Sequence, residues 1–273
     1  MSLIDGLFSV NGKTALVTGG ASGIGTMMAT ALVEAGAHVM IASRKGDLCK
    51  TVADELNALD ASGSAEGFAG DVGTEEGVQA LSNAVRERTD QLHILVNNAG
   101  ATWGEPLENF PRKAWDKILD VNVTGLFTLT RDMLPLMENA AGDDDPARII
   151  NLGSVMGTQP IADGAYSYSV SKAAVHHLTR ILAVELAERR ITVNAFAPGP
   201  FPSRMTAFAT DTKDKAEKVG EGVPIGRIGA PKDIAAATLY LCGPGGGYIT
   251  GAILPLDGGQ SVQHGIHLFK DFL

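Results

Sequence analysis

The sequence predicts an α/β fold in which a single doubly wound parallel sheet of about seven strands carries helices on both faces. Short runs rich in β-branched residues alternate with longer helical patterns along the chain, which is the order that produces parallel β-α-β units. The predicted strands are mostly apolar rather than alternating in polarity, as expected when helices cover both faces of a sheet. Neither an internal repeat nor a shift in composition divides the 273 residues, so we expect one domain.

Each predicted strand is a short apolar run bounded by glycine, proline or polar residues. The strands are expected at 14–19, 37–43, 65–71, 92–98, 147–154 and 191–199, with a last one inside 248–259. The intervening stretches carry helical patterns and are too long for simple turns. Helices are therefore expected over about 24–35, 47–59, 74–88, 112–137, 166–189 and 232–243.

One segment, at about 200–228, interrupts this alternation. It is rich in proline, threonine, lysine and glycine, and it follows the carboxyl end of a predicted strand. Open α/β sheets bind ligands at that edge, and loops there often close over the substrate. The segment is therefore predicted to be a substrate lid, and we expect the remaining residues, 260–273, to form a C-terminal tail.

Composition excludes several classes of protein. The 33 glycines exceed the usual share of about 7%, but there is no collagen-like period, and 45% hydrophobic residues exclude disorder. A net charge of −9 argues against a general nucleic-acid binder. The sequence shows neither a signal peptide nor an apolar run of about 20 residues, so we expect a cytoplasmic protein that does not enter the membrane. The two distant cysteines are expected to be free thiols.

The glycine-rich segment between the first strand and the first helix predicts a dinucleotide site of the Rossmann type. Gly19, Gly23 and Gly25 form a G-x-x-x-G-x-G pattern, which lets the backbone approach a pyrophosphate at the helix N-terminus. No Lys-Ser/Thr pair ends the pattern, so it is not a nucleoside-triphosphate loop. The alternative is an ordinary tight turn.

The end of the second strand favours NADP(H) over NAD(H). An acidic residue about 20 positions after the glycines would bind the ribose 2′-hydroxyl of NAD. Ser43, Arg44 and Lys45 stand there instead. A guanidinium suits the 2′-phosphate of NADP through paired charge-assisted hydrogen bonds. The alternative is that Arg44 and Lys45 are ordinary solvated side chains.

A tyrosine and a lysine on one predicted helix are the candidate catalytic pair; the alternative is a structural role, since a Tyr-x-x-x-Lys pair taken singly often occurs by chance. Tyr168 and Lys172 are four residues apart and so lie on one helical face, whereas Tyr166 has no lysine at that spacing. An ammonium near a phenol lowers the phenol pKa from about 10, which makes the tyrosine an acid or base near neutral pH. Ser154, at the carboxyl end of a strand, is placed to donate a hydrogen bond to a carbonyl oxygen.

These motifs together resemble the short-chain dehydrogenase/reductase family, in the family's order and over nearly the whole chain. They are TGGASGIG (18–25), Asp71-Val72, NNAG (97–100), Asn122, Ser154, Tyr168-x-x-x-Lys172 and Pro198-Gly199. The resemblance implies that Tyr168 gives the proton in carbonyl reduction and that Ser154 polarises the carbonyl. It also implies that Lys172 binds the nicotinamide ribose, and that Asn122 holds a water linking Lys172 to solvent.

The same resemblance implies the set of residues around the cofactor. They are Gly19, Ser22, Gly23, Ile24, Ser43, Arg44, Asp71, Val72, Asn98, Ala99, Gly100, Tyr168, Lys172, Pro198, Gly199 and Ser203. Two positions depart from the family. Ser22 stands where many NADPH-using relatives have a basic residue, and Ser203 and Thr206 both stand near the usual threonine after Pro-Gly. His264 and His267 lack carboxylate or cysteine partners nearby, so no metal is expected.

The substrate is suggested by NNAGATWGEPLE and APGPFPSRMT, which look like the 3-oxoacyl reductase branch, especially enzymes of rhamnolipid-type acyl supply. The resemblance implies NADPH-dependent reduction of a 3-oxoacyl thioester carried by acyl carrier protein or coenzyme A. Phe201, Met205 and Phe208 either line an apolar pocket or pack the lid on the body. The alternatives are an alcohol, sugar or steroid dehydrogenase of the same family and, more remotely, a non-catalytic dinucleotide sensor.

Assembly and partners are also implied by the resemblance. A homotetramer is expected, with helices 112–137 and 166–189 forming one interface and the apolar tail crossing another. The charge of −9 opposes docking of an acidic carrier protein, unless basic residues on the lid or the long helix form a local patch. His176 and His177, on the catalytic helix, are expected to be interface or packing residues.

Overall fold

Seven parallel strands form one sheet in the structure, a computed structural model that describes residues 3–161 and 164–263. The strands are β1 (Thr14–Thr18), β2 (His38–Ser43), β3 (Ser64–Ala69), β4 (Ile94–Asn97), β5 (Ala147–Leu152), β6 (Ile191–Pro198) and β7 (Ile253–Leu256). They lie in the order β3-β2-β1-β4-β5-β6-β7, so the direction of winding reverses between β1 and β4. The predicted doubly wound parallel sheet is confirmed, and ligands bind at such a reversal.

The helices cover both faces of this sheet. They are α1 (Leu3–Phe8), α2 (Gly23–Glu34), α3 (Gly46–Asn57), α4 (Glu75–Arg86), α5 (Arg112–Leu119), α6 (Gly125–Ala140), α7 (Tyr166–Leu186), α8 (Ala207–Thr210), α9 (Lys213–Gly220) and α10 (Pro231–Cys242). A π-helical turn, Asp120–Thr124, joins α5 to α6, so the predicted helix 112–137 is one run with a widened turn inside it. Among the described helices, none has both the length and the apolar character needed to cross a bilayer.

One hydrophobic core lies on each side of the sheet, and the strands contribute side chains to both cores. In β1, Ala15 and Val17 face the core beneath α2, α3 and α10, whereas Leu16 faces the core beneath α4, α6 and α7. All three side chains are fully buried. Apolar residues are needed at every strand position because neither face of the sheet meets water.

The segment after β6 leaves the sheet and forms the short helices α8 and α9. Phe201 at its start is buried in the first core, whereas Phe208 in α8 is 81% exposed. The segment is therefore anchored at its base and open to solvent farther out. The expectations for His264, His267 and most of the tail 260–273 concern residues 264–273, which lie outside the described residues.

A buried ionic cluster holds together the amino-terminal edge of the sheet, opposite the glycine-rich turn. Arg148 in β5 is 0% exposed, and its guanidinium donates to the carbonyl oxygens of Leu241 and Gly243 at 3.2 Å each. These carbonyls belong to the end of α10, where no intrahelical partner is available. Asp145 accepts from Arg148 Nη2 at 2.9 Å and also pairs with Lys13. One carboxylate therefore offsets two cations with little access to water.

We predict that Asp145→Asn lowers the free energy of unfolding by about 2 kcal/mol, because it leaves the Arg148 and Lys13 cations together without a counter-charge. The Asp145 side chain is itself 42% exposed, which keeps the loss below that of a fully buried pair. Urea unfolding measures the difference. The matched control is Asp143→Asn, since Asp143 is 80% exposed and pairs with Arg190 at the surface. The control is expected to lose less than about 1 kcal/mol, and equal losses in the two variants would contradict the prediction.

Candidate active site

The glycine-rich turn lies at the carboxyl end of β1, beside the reversal of the sheet. Gly19 and Gly23 have φ of +64° and +59°, a region that glycine adopts without strain. Ser22 precedes α2, but its side chain does not cap the helix. The first N–H groups of α2, from Gly23 and Ile24 onward, thus have neither an intrahelical nor a capping partner. An uncapped helix N-terminus beside an open turn fits a pyrophosphate.

Asn98, which follows β4, fixes this turn from the neighbouring strand. Its Nδ2 donates to the carbonyl oxygens of Thr18 at 2.9 Å and Gly19 at 3.1 Å. The backbone N–H groups of Asn98 and Ala99 both donate to Thr18 Oγ1 at 3.1 Å. The side chain of Asn98 therefore holds the turn in shape, which the sequence motif alone did not specify.

The end of β2 presents a basic side chain to solvent. Ser43 Oγ contacts Cys49 Sγ at 3.0 Å and accepts from the N–H of Lys45 at 3.2 Å, which fixes the start of α3. Arg44 is exposed, and Lys45 leaves the N-terminus of α3 without a side-chain cap. The edge therefore combines a guanidinium with a helix N-terminus, and both favour an anionic group.

The ends of β3 and β4 close the other side of the cleft. Asp71 Oδ1 accepts from the N–H of Gly73 at 2.9 Å, so this carboxylate folds back on its own loop, and Val72 beside it is buried. Gly100 lies over the catalytic groups, because a Cβ there would be 3.4 Å from Asn122 Oδ1 and 3.7 Å from Lys172 Nζ. Asp71 and Val72 after β3, and Gly100 after β4, therefore lie at the same carboxyl edge of the sheet.

Ser154, Tyr168 and Lys172 come together between β5 and α7. Lys172 Nζ lies 5.5 Å from the centre of the Tyr168 ring and donates to the carbonyl oxygen of Leu152 at 2.5 Å. Ser154 Oγ accepts from the N–H of Met156 at 3.2 Å. Because the serine oxygen is an acceptor in that bond, its own proton is left to donate to a substrate oxygen.

Burial sets the charge state of this group of residues. Desolvation raises the pKa of the Tyr168 phenol above its usual value of 10.0, and the nearby Ser154 hydroxyl opposes part of that shift. Desolvation also lowers the pKa of Lys172 to about 8. The sequence predicted a lowered phenol pKa. The structure differs because the phenol is buried, and its own desolvation outweighs the hydrogen bond with Ser154. Tyr168 is therefore a protonated phenol at neutral pH, the form that donates a proton.

Asn122 sits in the π-helical turn and connects three elements. Its Oδ1 accepts from the N–H of Ala101 at 2.8 Å, and its Nδ2 donates to Ala101 O and Ser171 Oγ at 2.9 Å each. The side chain thus ties the loop after β4 to α7 beside Lys172. The water that the sequence resemblance assigns to Asn122 stays a prediction.

The loop after β6 carries both candidate lid hydroxyls, Ser203 and Thr206. Gly199 follows Pro198 and donates its N–H to Leu256 O at 3.1 Å, which joins β6 to β7. Thr206 Oγ1 donates to Phe201 O at 2.7 Å and contacts Ser203 Oγ at 2.9 Å, so it is engaged within the lid. Ser203 lies against the glycine-rich turn, since its Cβ is 2.9 Å from where a Cβ of Gly23 would be. The Ser203 hydroxyl also accepts from the N–H of Thr206 at 3.2 Å, so the contact with the carboxamide stays a prediction for Ser203.

Sequence reasoning missed the place of His176, which was expected at an interface or in simple packing. Its ring is buried, and its Nε2 accepts from the backbone N–H of Ser154 at 3.4 Å. A signal was present in the spacing, because His176 continues the four-residue interval of Tyr168 and Lys172 on the same helical face.

The assembled groups are suited to proton transfer at a carbonyl or hydroxyl oxygen. Tyr168 is a neutral phenol, the Ser154 hydroxyl is beside it, and the Lys172 ammonium lies 5.5 Å from the centre of the phenol ring. All three lie at the same sheet edge as the glycine-rich turn. This is the arrangement expected of a nicotinamide-dependent oxidoreductase site.

Known proteins share this arrangement. The model of a family described as Enoyl-(Acyl carrier protein) reductase matches residues 19–261. The rhamnolipids biosynthesis 3-oxoacyl-acyl-carrier-protein reductase of Pseudomonas aeruginosa is 44% identical over 252 residues, which span 92% of this chain and 97% of that protein. Galactitol 2-dehydrogenase (L-tagatose-forming) of Cereibacter sphaeroides is 38% identical over 261 residues, which span 94% of this chain and 98% of that protein.

A solved structure with a similar degree of sequence identity has the same fold. The Pseudomonas aeruginosa RhlG/NADP active-site complex superimposes with a TM-score of 0.89 at 42% identity, covering 94% of this chain and 99% of that chain. The family match extends from the glycine-rich turn past the last strand, and so includes every residue of the site. The protein therefore belongs to the short-chain dehydrogenase/reductase family.

Proposed function

We propose that the protein reduces the carbonyl group of a 3-oxoacyl thioester to an alcohol with NADPH. The observation that carries this proposal is a protonated Tyr168 grouped with Ser154 and Lys172 at the edge that holds the glycine-rich turn. The similarity to the Pseudomonas aeruginosa 3-oxoacyl reductase over nearly the full length supports the substrate class.

The chain's own residues account for the proton and for the orientation of the substrate. The nicotinamide, when bound, supplies the hydride to the carbonyl carbon. Ser154 holds the carbonyl oxygen by donating a hydrogen bond, and Tyr168 transfers its phenol proton to the same oxygen. The Lys172 ammonium stabilises the phenolate that remains. Because the pKa of Lys172 is about 8, it can also return a proton to Tyr168 near neutral pH.

We predict that Tyr168→Phe lowers kcat by about a thousandfold, because it removes the proton donor and leaves the ring in place. Dissociation of NADPH, followed by its fluorescence, is expected to change little. The control is Tyr166→Phe, whose ring packs edge-on against Phe110 at 5.2 Å between centroids. That variant should keep kcat within about twofold of the parent. Similar losses in the two variants would rule out the assignment of Tyr168.

NADP(H) is the proposed cofactor, and Arg44 is the residue proposed to select it. The exposed guanidinium stands beside the uncapped start of α3, and Ser43 occupies the place of the acid that binds an unphosphorylated ribose. A relative whose solved complex contains NADP supports the same choice. Ser22 offers no second cation, so the preference depends chiefly on Arg44.

We predict that Arg44→Asp lowers the ratio of kcat/KM for NADPH to that for NADH by at least about tenfold, since charge-assisted hydrogen bonds to the 2′-phosphate are lost. Steady-state kinetics with both cofactors measure the ratio. Lys50→Asp makes the same change of charge on an exposed position one turn into α3, and we expect it to leave the ratio nearly unchanged. An unaltered ratio in Arg44→Asp would mean that another group recognises the phosphate.

The lid proposed at about 200–228 supplies apolar surface for an acyl chain. Met205 and Phe208 are exposed in this segment, whereas Phe201 is buried at its base. On the loop after β4, Trp103 is partly exposed and has the Lys113 and Lys117 ammonium groups 5.7 Å from its ring centre. Apolar side chains next to cations suit a thioester with an anionic carrier.

The experiment that tests the proposed function is NADPH oxidation with a panel of carbonyls: acetoacetyl-CoA, longer 3-oxoacyl thioesters, diketones, ketoses and steroids. The thioesters are expected to have the highest kcat/KM. KM should fall as the chain lengthens, because each buried CH₂ contributes about 0.8 kcal/mol. The second candidate, a sugar-alcohol dehydrogenase, is favoured by the similarity to galactitol 2-dehydrogenase. Brisk turnover of ketoses beside inert thioesters would establish that candidate instead.

An acyl carrier protein is the proposed partner, and a cytoplasmic homotetramer is the proposed form. The basic residues of α5 support carrier docking better than those of the lid, where Lys213 and Lys215 pair with Glu217 and Asp211. Exposed apolar side chains on one face of α7 support a subunit interface. They are Val170, Ile181 and Val184. Both cysteines are buried and free, as suits a reducing compartment.

A further inference from the structure

The imidazole of His176 lies directly behind the catalytic serine. We propose that His176 is a positioning residue, which fixes the backbone of Ser154 so that its hydroxyl points at the substrate carbonyl. This inference rests on the proposed carbonyl chemistry, but it is independent of which carbonyl compound is the natural substrate.

The imidazole fills the space between the two glycines that bracket the Ser154 turn. A Cβ on Gly153 would lie 2.1 Å from His176 Nε2, and a Cβ on Gly157 would lie 2.8 Å from His176 Cε1. Backbone atoms of Phe196 and Lys172 also lie within 3 Å of these two Cβ positions, so neither glycine can carry a side chain. The turn and the ring are thus fitted to each other on both sides of Ser154.

The hydrogen bonds of the ring define its protonation. Nε2 accepts from the Ser154 N–H at 3.4 Å, so the ring proton is on Nδ1, which faces Thr158 Oγ1 at 3.5 Å. Burial, together with the cations Lys172 and Arg180, lowers the pKa of His176 to about 4. The ring is therefore neutral at physiological pH and remains an acceptor for Ser154.

Ser154 is held at two points as a result. His176 fixes its backbone N–H, and the Met156 N–H fixes its side-chain oxygen. Removing the imidazole leaves a buried N–H without a partner and a gap between Gly153 and Gly157. The turn then relaxes, and a shift of about 1 Å at a catalytic group costs up to about a hundredfold in rate.

The test compares His176→Asn with His176→Gln. The Asn side chain is too short to reach the Ser154 N–H, whereas Gln places an amide oxygen about where Nε2 lies. We expect kcat to fall by about ten- to a hundredfold in His176→Asn and to recover most of that loss in His176→Gln. NADPH affinity, measured by fluorescence, should be unchanged in both. His177→Asn, on the neighbouring exposed residue, is the control and should behave as the parent.

A double-mutant cycle separates positioning from a general effect on folding. If His176 acts through Ser154, adding His176→Asn to Ser154→Ala causes no further loss of kcat. Full additivity of the two losses would overturn the proposal, as would parental kcat in His176→Asn or failure of His176→Gln to recover. If His176→Asn does not fold, the His176→Gln variant decides alone, since the proposal requires it to retain most of the parental kcat. Absence of turnover with every carbonyl would instead refute the proposed function.

Discussion

The contact between the Asn98 amide and the glycine-rich turn holds the site together. It joins the first strands of the two halves of the sheet, β4 and β1, at the place where the winding reverses. Without it, two carbonyl groups of the turn would lack their partner, and the uncapped start of α2 would lose its fixed direction. The dinucleotide site therefore depends on an amide in the opposite half of the sheet.

Burial gives this edge its chemistry. The same desolvation that raises the pKa of Tyr168 lowers that of Lys172, so the phenol holds its proton more firmly than the neighbouring ammonium does. A proton passed from the ammonium to a phenolate at Tyr168 therefore moves to the group that binds it more tightly. A buried lysine is costly to maintain, and here its ammonium donates to the carbonyl oxygen of Leu152.

The sequence allowed the sheet, the glycine-rich turn and the catalytic residues to be predicted, because each depends on local spacing. Tyr168 and Lys172 lie on one helical face because they are four residues apart, whether or not that face is buried. Ser154 follows a strand, and this too can be predicted without knowing which residues pack over it. The direction of the Tyr168 pKa shift depends on how much water reaches the phenol, which spacing does not show. The contact of His176 with Ser154 depends on the packing of two glycines, and the burial of Phe201 depends on where the lid is anchored. These features arise from three-dimensional packing and were not accessible from the pattern of residues.

The ionic cluster of Arg148, Asp145 and Lys13 lies at the end of the sheet that faces away from the chemistry. The ionic cluster that stabilises the fold and the residues proposed to act in catalysis therefore lie at opposite ends of the same sheet. Substitutions in the loops at the catalytic edge can change the carbonyl compound that is accepted without loosening the anchor at the other edge. This separation allows the same fold to acquire new substrates. The relatives include a 3-oxoacyl reductase and a galactitol dehydrogenase, which act on different classes of compound.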